Sequence, residues 1–99
     1  MKLVIVCGDS GVYVGFADGG AQALTPDGRV VLTNARHLRR YYVAGKTGDG
    51  SAADLASRGL DPSSLSMISA PVAGASVLLG VRRAYDVADS VASSFGVAP

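Results

Sequence analysis

The stretch LVIVCGDSGVYVGFA, residues Leu3–Ala17, decides how this chain is expected to fold. Leu3–Cys7 is a short apolar run rich in β-branched residues, and Gly8-Asp9-Ser10-Gly11 closes it with turn formers. Beyond the turn, Val12, Val14 and Phe16 alternate with Tyr13, Gly15 and Ala17. That period of two is the spacing of a strand. Two strands joined by a tight turn predict an antiparallel start.

The pattern continues outward from there. Asp18-Gly19-Gly20 reads as a turn, Ala21–Thr25 as a third strand, Pro26-Asp27-Gly28 as a hairpin turn and Val30–Thr33 as a fourth strand. Asn34–Val43 (NARHLRRYYV) supports two readings. As a helix it would be capped by Asn34, with Ala35, Leu38, Tyr41 and Tyr42 on one face. As a strand its residues alternate, and the paired tyrosines with Val43 favour that choice. Gly45–Gly50 reads as a loop. Ser51 and Asp54 form a shortened capping-box pattern ahead of a helix over Ala52–Ser57, which Gly59 ends. Asp61-Pro62-Ser63-Ser64 is a turn, and Ser76–Tyr85 a strand interrupted by Gly80. A C-terminal helix runs from Asp86 or Val87 to Phe95, with Val87, Val91 and Phe95 on one face. The expected fold is α+β and mainly β: a small, strongly curved antiparallel sheet or incomplete barrel with two short helices, in a single domain over residues 1–99.

Composition narrows the function classes. The chain has 99 residues, 48% hydrophobic and 17% charged, which is globular rather than disordered. One cysteine and one histidine leave no disulfide framework and no ordinary multi-ligand metal site, so neither a metal nor a cofactor is expected. All acids are aspartate, and the six aromatics include no tryptophan. The core must therefore be built from Val, Leu, Ile and Ala, which bury little area per residue. Self-association would extend such a core, and a homo-oligomer is the expected state. The N-terminal apolar run is too short for a secretory signal, and Met67–Val81 is too short to span a bilayer. No membrane partner is expected, and the thiol of Cys7 is expected to stay reduced.

Three short motifs resemble catalytic or nucleotide signatures and fail on context. Gly8-Asp9-Ser10-Gly11 matches the nucleophile segment of trypsin-like proteases, but the only histidine, His37, stands among arginines instead of beside an orienting acid. Gly45-Lys46-Thr47 matches the end of a P-loop, but Arg40 occupies the position of its first glycine. Gly8, Gly11 and Gly15 miss the dinucleotide-binding spacing, and a strand follows where that fold needs a helix. Cys7, at the end of an apolar run, reads as a buried structural thiol. No catalytic residue is assigned, because one histidine and no glutamate leave few positioned acid–base pairs.

Charge placement is more informative than net charge. The total is +1, but Arg29, Arg36, Arg39, Arg40 and Lys46 put +5 between Gly28 and Gly48, leaving −4 elsewhere. Tyr41 and Tyr42 adjoin this acid-free segment. Guanidinium forks onto phosphate oxygens and stacks on rings, so an anionic ligand would suit Arg36, His37, Arg39, Arg40, Tyr41, Tyr42 and Lys46. A solvated strand face and a subunit or protein contact fit the same residues. Arg82 and Arg83 would extend the patch if their strand lay beside it.

Taken in order, Ser10-Gly11-Val12-Tyr13-Val14-Gly15 and RVVLTNARHLRRYY (Arg29–Tyr42) resemble a family of small, functionally uncharacterised tailed-phage proteins. The corresponding family stretches read much like S-A-G-V-H-x-G and K-E-V-V-L-T-N-A-R-R-I-W-Y-W. Asp54-Leu55-Ala56 and Gly59 match its L-S-x-L-A-x-x-G pattern, and Val77–Val97 its closing strand and helix. This chain carries Tyr41-Tyr42 in place of the tryptophan-rich segment, and extra arginines. The resemblance implies a viral origin and a mainly β domain, and it supplies no catalytic residues.

The expected function is therefore a non-enzymatic phage accessory protein that binds, as a homo-oligomer, an anionic nucleotide-like molecule or a host protein. A self-assembling or virion structural role is the alternative, and a nucleic-acid-binding module stands behind both. The expected location is the host cytoplasm, or the virion for a structural role.

Overall fold

The computed structural model describes residues 1–45, 51–61 and 67–97. Six strands appear in chain order: β1 (Lys2–Gly8), β2 (Gly11–Ala17), β3 (Val30–Arg40), β4 (Met67–Ile68), β5 (Val72–Leu78) and β6 (Val81–Asp86). Among the described residues one α-helix, α1 (Ala52–Arg58), lies between β3 and β4, and a 3-10 helix over Asp89–Phe95 follows β6. All strand pairings are antiparallel. The order runs β4-β3-β2-β1-β6, with β5 also on β3, so the sheet is curved and open. The mainly β fold with two short helices is as expected, the second helix being of the 3-10 type.

β1 lies between β2 and β6 and is covered on both faces. Leu3 and Ile5 join a core with Val14, Leu38, Leu55, Val87 and Phe95, formed where α1 and the 3-10 helix cover the sheet. Val4 and Val6 point the other way into a second core with Ala17, Val30, Leu32, Ala35 and Val81, enclosed by the curl of the sheet. A strand buried on both sides needs apolar residues throughout, which accounts for the unbroken run. Fully burying each large side chain, Ile5, Leu55 or Phe95, contributes about 1.5–3 kcal/mol.

Two of the expected strands prove to be one, because a bulge keeps the segment extended. Val30–Thr33 and most of Asn34–Val43 form β3, and the helical reading of that segment is excluded. Asn34 sits at φ 55°, a left-handed conformation that asparagine tolerates. The register with β2 shifts between Val14 and Phe16, so Gly15 faces the extra residue. A Cβ on Gly15 would lie 3.0 Å from the Leu32 Cβ and 3.2 Å from the Ala35 Cα. Tyr41 and Tyr42 lie past the strand end, and Val43 forms an isolated bridge with Leu60.

The third expected strand is not a strand. Gly20–Ala23 is a single 3-10 turn, entered through Gly19 at φ 80° and anchored by the Ala21 amide, which donates to Asp86 Oδ1 at 2.8 Å. Two successive left-handed glycines redirect the chain before a strand can begin. The turn at Pro26-Asp27-Gly28 is present, with Gly28 N donating to Thr25 O at 3.0 Å and Thr25 N to Arg29 O at 2.9 Å, but with no strand before it the turn does not close a hairpin.

The strand expected over Ser76–Tyr85 divides at Gly80 (φ 67°) into β5 and β6, which occupy opposite edges of the sheet. The two edges approach at a corner, where Val81 N donates to Gly28 O at 2.9 Å and Asp9 N to Gly80 O at 3.1 Å. The capping box is present, with Asp54 N donating to Ser51 Oγ at 3.1 Å and Ser51 N to Asp54 Oδ2 at 3.3 Å. Gly59 ends α1 at φ 83°. The loop and turn read at Gly45–Gly50 and Asp61–Ser64 lie largely outside the described residues. Among the described residues no helix is long and apolar enough to cross a membrane.

Candidate functional site

The residues nominated by charge pattern fall on β3 and just beyond it, and strand alternation separates them. Arg36 points to the helix-covered face. Its Nε donates to Ser69 O at 2.8 Å and its Nη1 to Phe95 O at 2.9 Å and Gly96 O at 3.4 Å. The Phe95 and Gly96 carbonyls close the C-terminal 3-10 helix, where a cation complements the exposed negative ends of the peptide dipoles. Arg36 therefore ties β3 to the C-terminal segment.

His37 points to the opposite face. Its ring stacks on Tyr13, its cross-strand partner, at 4.5 Å between centroids and 13° between planes. Such a pair is held by packing together with its offset ring geometry. The backbone of His37 is fixed by the next segment: its amide donates to Ser69 Oγ at 2.8 Å, and its carbonyl accepts from Ser69 N at 3.0 Å. The ring also lies over Gly11, where a Cβ would come within 2.8 Å of Nε2.

Arg39 is exposed where the β3 register against β4 shifts between Leu38 and Arg40, and it lines a shallow recess of about 470 Å³ with Met67, Ile68 and Ser69. Arg40, also exposed, sits 5.5 Å from the Tyr42 ring centroid, a cation–π distance. Tyr41 packs against the first core. Lys46 lies outside the described residues.

The segment thus supplies a packed arginine, an aromatic stack and two exposed arginines. Tyr13 is not among the site residues that the charge pattern nominates. Its alternation assigns a face, but its pairing with His37 depends on register across the Asn34 bulge, which local sequence does not carry.

Arg82 and Arg83 do not extend this surface, because β6 is separated from β3 by β1 and β2. They line a different recess, about 420 Å³, with Cys7, Gly8, Ser51, Ala52 and Tyr85. Arg82 pairs with Asp9 at 2.7 Å in an exposed ion pair. A hydrogen bond with Tyr85, then the nearby Tyr85 and Cys7 groups, raise the Arg83 pKa above its ordinary value. Among the described residues no three His, Cys, Asp or Glu side chains gather as a metal-binding group.

The surface is consequently read from its own chemistry: no known protein family, curated protein or solved structure matches the chain.

Proposed function

We propose that this chain is a non-enzymatic accessory protein that acts by binding, as a homo-oligomer, and that its ligand is a nucleotide-like anion taken at the end of β3. The observation that carries this reading is the Tyr13–His37 stack with exposed Arg39 two residues further along β3. An aromatic stack beside a guanidinium suits a flat ring bearing phosphate, through stacking and bidentate hydrogen bonds together. Arg40 over Tyr42 adds a second exposed charge at the same strand end. The resemblance to small tailed-phage proteins supports an infected host cytoplasm as the setting, with capture of the ligand without turnover as the action.

The test is calorimetric titration of the purified chain with a panel of mononucleotides, dinucleotides and cyclic nucleotides. Arg39→Ala and His37→Ala are expected to weaken binding at least tenfold, about 1.4 kcal/mol, with the fold intact. Arg36→Ala is expected to lower stability instead, since charge-assisted hydrogen bonds are worth about 1.5–3 kcal/mol. Absence of binding across the panel, or binding indifferent to Arg39→Ala, overturns the reading. Affinity for DNA that falls steeply with salt would favour the nucleic-acid alternative.

A further inference from the structure

The exposed large apolar side chains of this protein gather around one edge of the sheet. Val31 is 37% exposed, Met67 and Val72 56%, Val77 54% and Leu79 67%. Among the described residues, all but Met1 of the large exposed hydrophobic residues lie on β3, β4, β5 or the residue after β5. β5 pairs with β3 on its inner side, and among the described residues no strand pairs with its outer edge.

We propose that two copies of this chain join through the outer edges of β5, antiparallel about a two-fold axis at Val77, into one continuous sheet. This deepens the homo-oligomer part of the reading above and needs no anionic ligand.

Charge selects a second copy as the occupant. In a two-fold contact each patch meets itself, so any charge on the edge faces its own sign. From Met67 to Val81 the sequence has no charged residue. The opposite edge, β6, carries Arg82, Arg83 and Asp86, all exposed, which is how natural sheets blunt an edge against pairing. Only the neutral edge is free of that self-repulsion.

Register places the axis. Gly74 (φ 86°) and Gly80 (φ 67°) bound the stretch Ala75–Leu79 symmetrically. Centring on Val77 sets Ala75 against Leu79 of the second copy and Ser76 against Leu78, small against large. Val31 and Val77 are already cross-strand partners, so the pairing yields a row of Val31, Val77 and their two counterparts across four strands. A stable dimer buries about 800 Å² per partner, about a seventh of the 5426 Å² of this chain, so Val31, Val72 and Leu79 must share the contact with the backbone edge.

Native mass spectrometry and light scattering of the full chain at micromolar concentration test this. The wild type is expected to be dimeric. Val77→Lys sets two ammonium groups face to face on the axis and is expected to weaken dimerisation at least tenfold, about 1.4 kcal/mol, with an unchanged circular dichroism spectrum. Leu79→Lys, outside the strand, provides the same readout should Val77→Lys fail to fold. In a Cys7→Ser background, Val77→Cys is expected to oxidise to a covalent dimer, and Leu79→Cys to remain unlinked. A monomeric wild type, a dimer indifferent to both lysines, or linkage through Leu79→Cys alone overturns the proposal. A monomer that still binds nucleotides defeats the pairing and leaves the anion reading standing; a dimer that binds none does the reverse.

Discussion

β5 and β6 are neighbours in the chain, separated by Leu79 and Gly80, yet they form opposite edges of the sheet and differ in character. β6 carries two arginines and an aspartate in six residues, with Arg82 paired to Asp9. β5 carries no charge in seven residues, and its Val72 and Val77 are more than half exposed. One edge is charged, and the other is neutral and apolar. The average composition of the chain conceals this contrast. It is local charge, placed by topology, that distinguishes the two edges.

The corner where the two edges meet offers the largest perturbation. A Cβ on Gly8 would lie 2.3 Å from Gly80 O and 2.7 Å from the Val81 Cα, both rigid backbone. Gly8→Ala is expected to cost about 1–3 kcal/mol or more, seen as a lower midpoint in urea unfolding, because the corner must open. Stability unchanged by this substitution would show that the edges do not depend on the corner.

A smaller effect is expected on the charged edge itself. The Arg82–Asp9 pair is exposed on both sides, 77% and 64%, so Arg82→Ala should change stability by no more than about 0.5 kcal/mol. Its consequence should appear in association: an Arg82→Ala, Arg83→Ala double variant is expected to gain a tendency to aggregate that light scattering detects. A variant that stays as soluble as the wild type would mean that charge is not what protects β6.

The smallest effect is a pH dependence at the same corner, where Asp27 lines a recess with Asp9, Gly80 and Arg82. The Thr25 hydroxyl, donating to the Asp27 carboxylate, holds its pKa below the ordinary 3.8. A depressed carboxyl contributes stability that is present above its unfolded-state pKa and lost as pH falls through the folded-state value. Asp27→Asn should therefore lose a little stability at neutral pH and flatten the acid limb of a thermal stability profile below about pH 4, where variant and wild type converge. A variant losing stability equally at all pH values would assign Asp27 a role in turn geometry alone.

The strands that the sequence makes legible are those whose side-chain pattern is local. Leu3–Cys7 and Val12–Phe16 announce themselves by content and alternation, and Ser51 with Asp54 marks the start of α1. The misreadings share a physical cause. Ala21–Thr25 has strand-like content, but Gly19 and Gly20 take left-handed conformations that set the backbone first. Ser76–Tyr85 looks like one strand because Gly80 alone does not tell an interruption from a change of edge. The basic segment was equally visible, while its division was not. Arg36 is held by Ser69, Phe95 and Gly96, and His37 by Tyr13, partners between 24 and 60 residues away that only the fold brings near.

The position of β1 has a consequence for the order in which this protein can assemble. Val4 pairs with Gly15 on one side and with Asp86 on the other. The first hairpin forms from local sequence, but the second flank of β1 stays bare until β6 has been synthesised. Closing so long a loop late makes folding slow relative to a helical domain of this size. During that interval the apolar strand β1 is an open template, so the nascent chain is aggregation-prone until β6 has emerged to cover it.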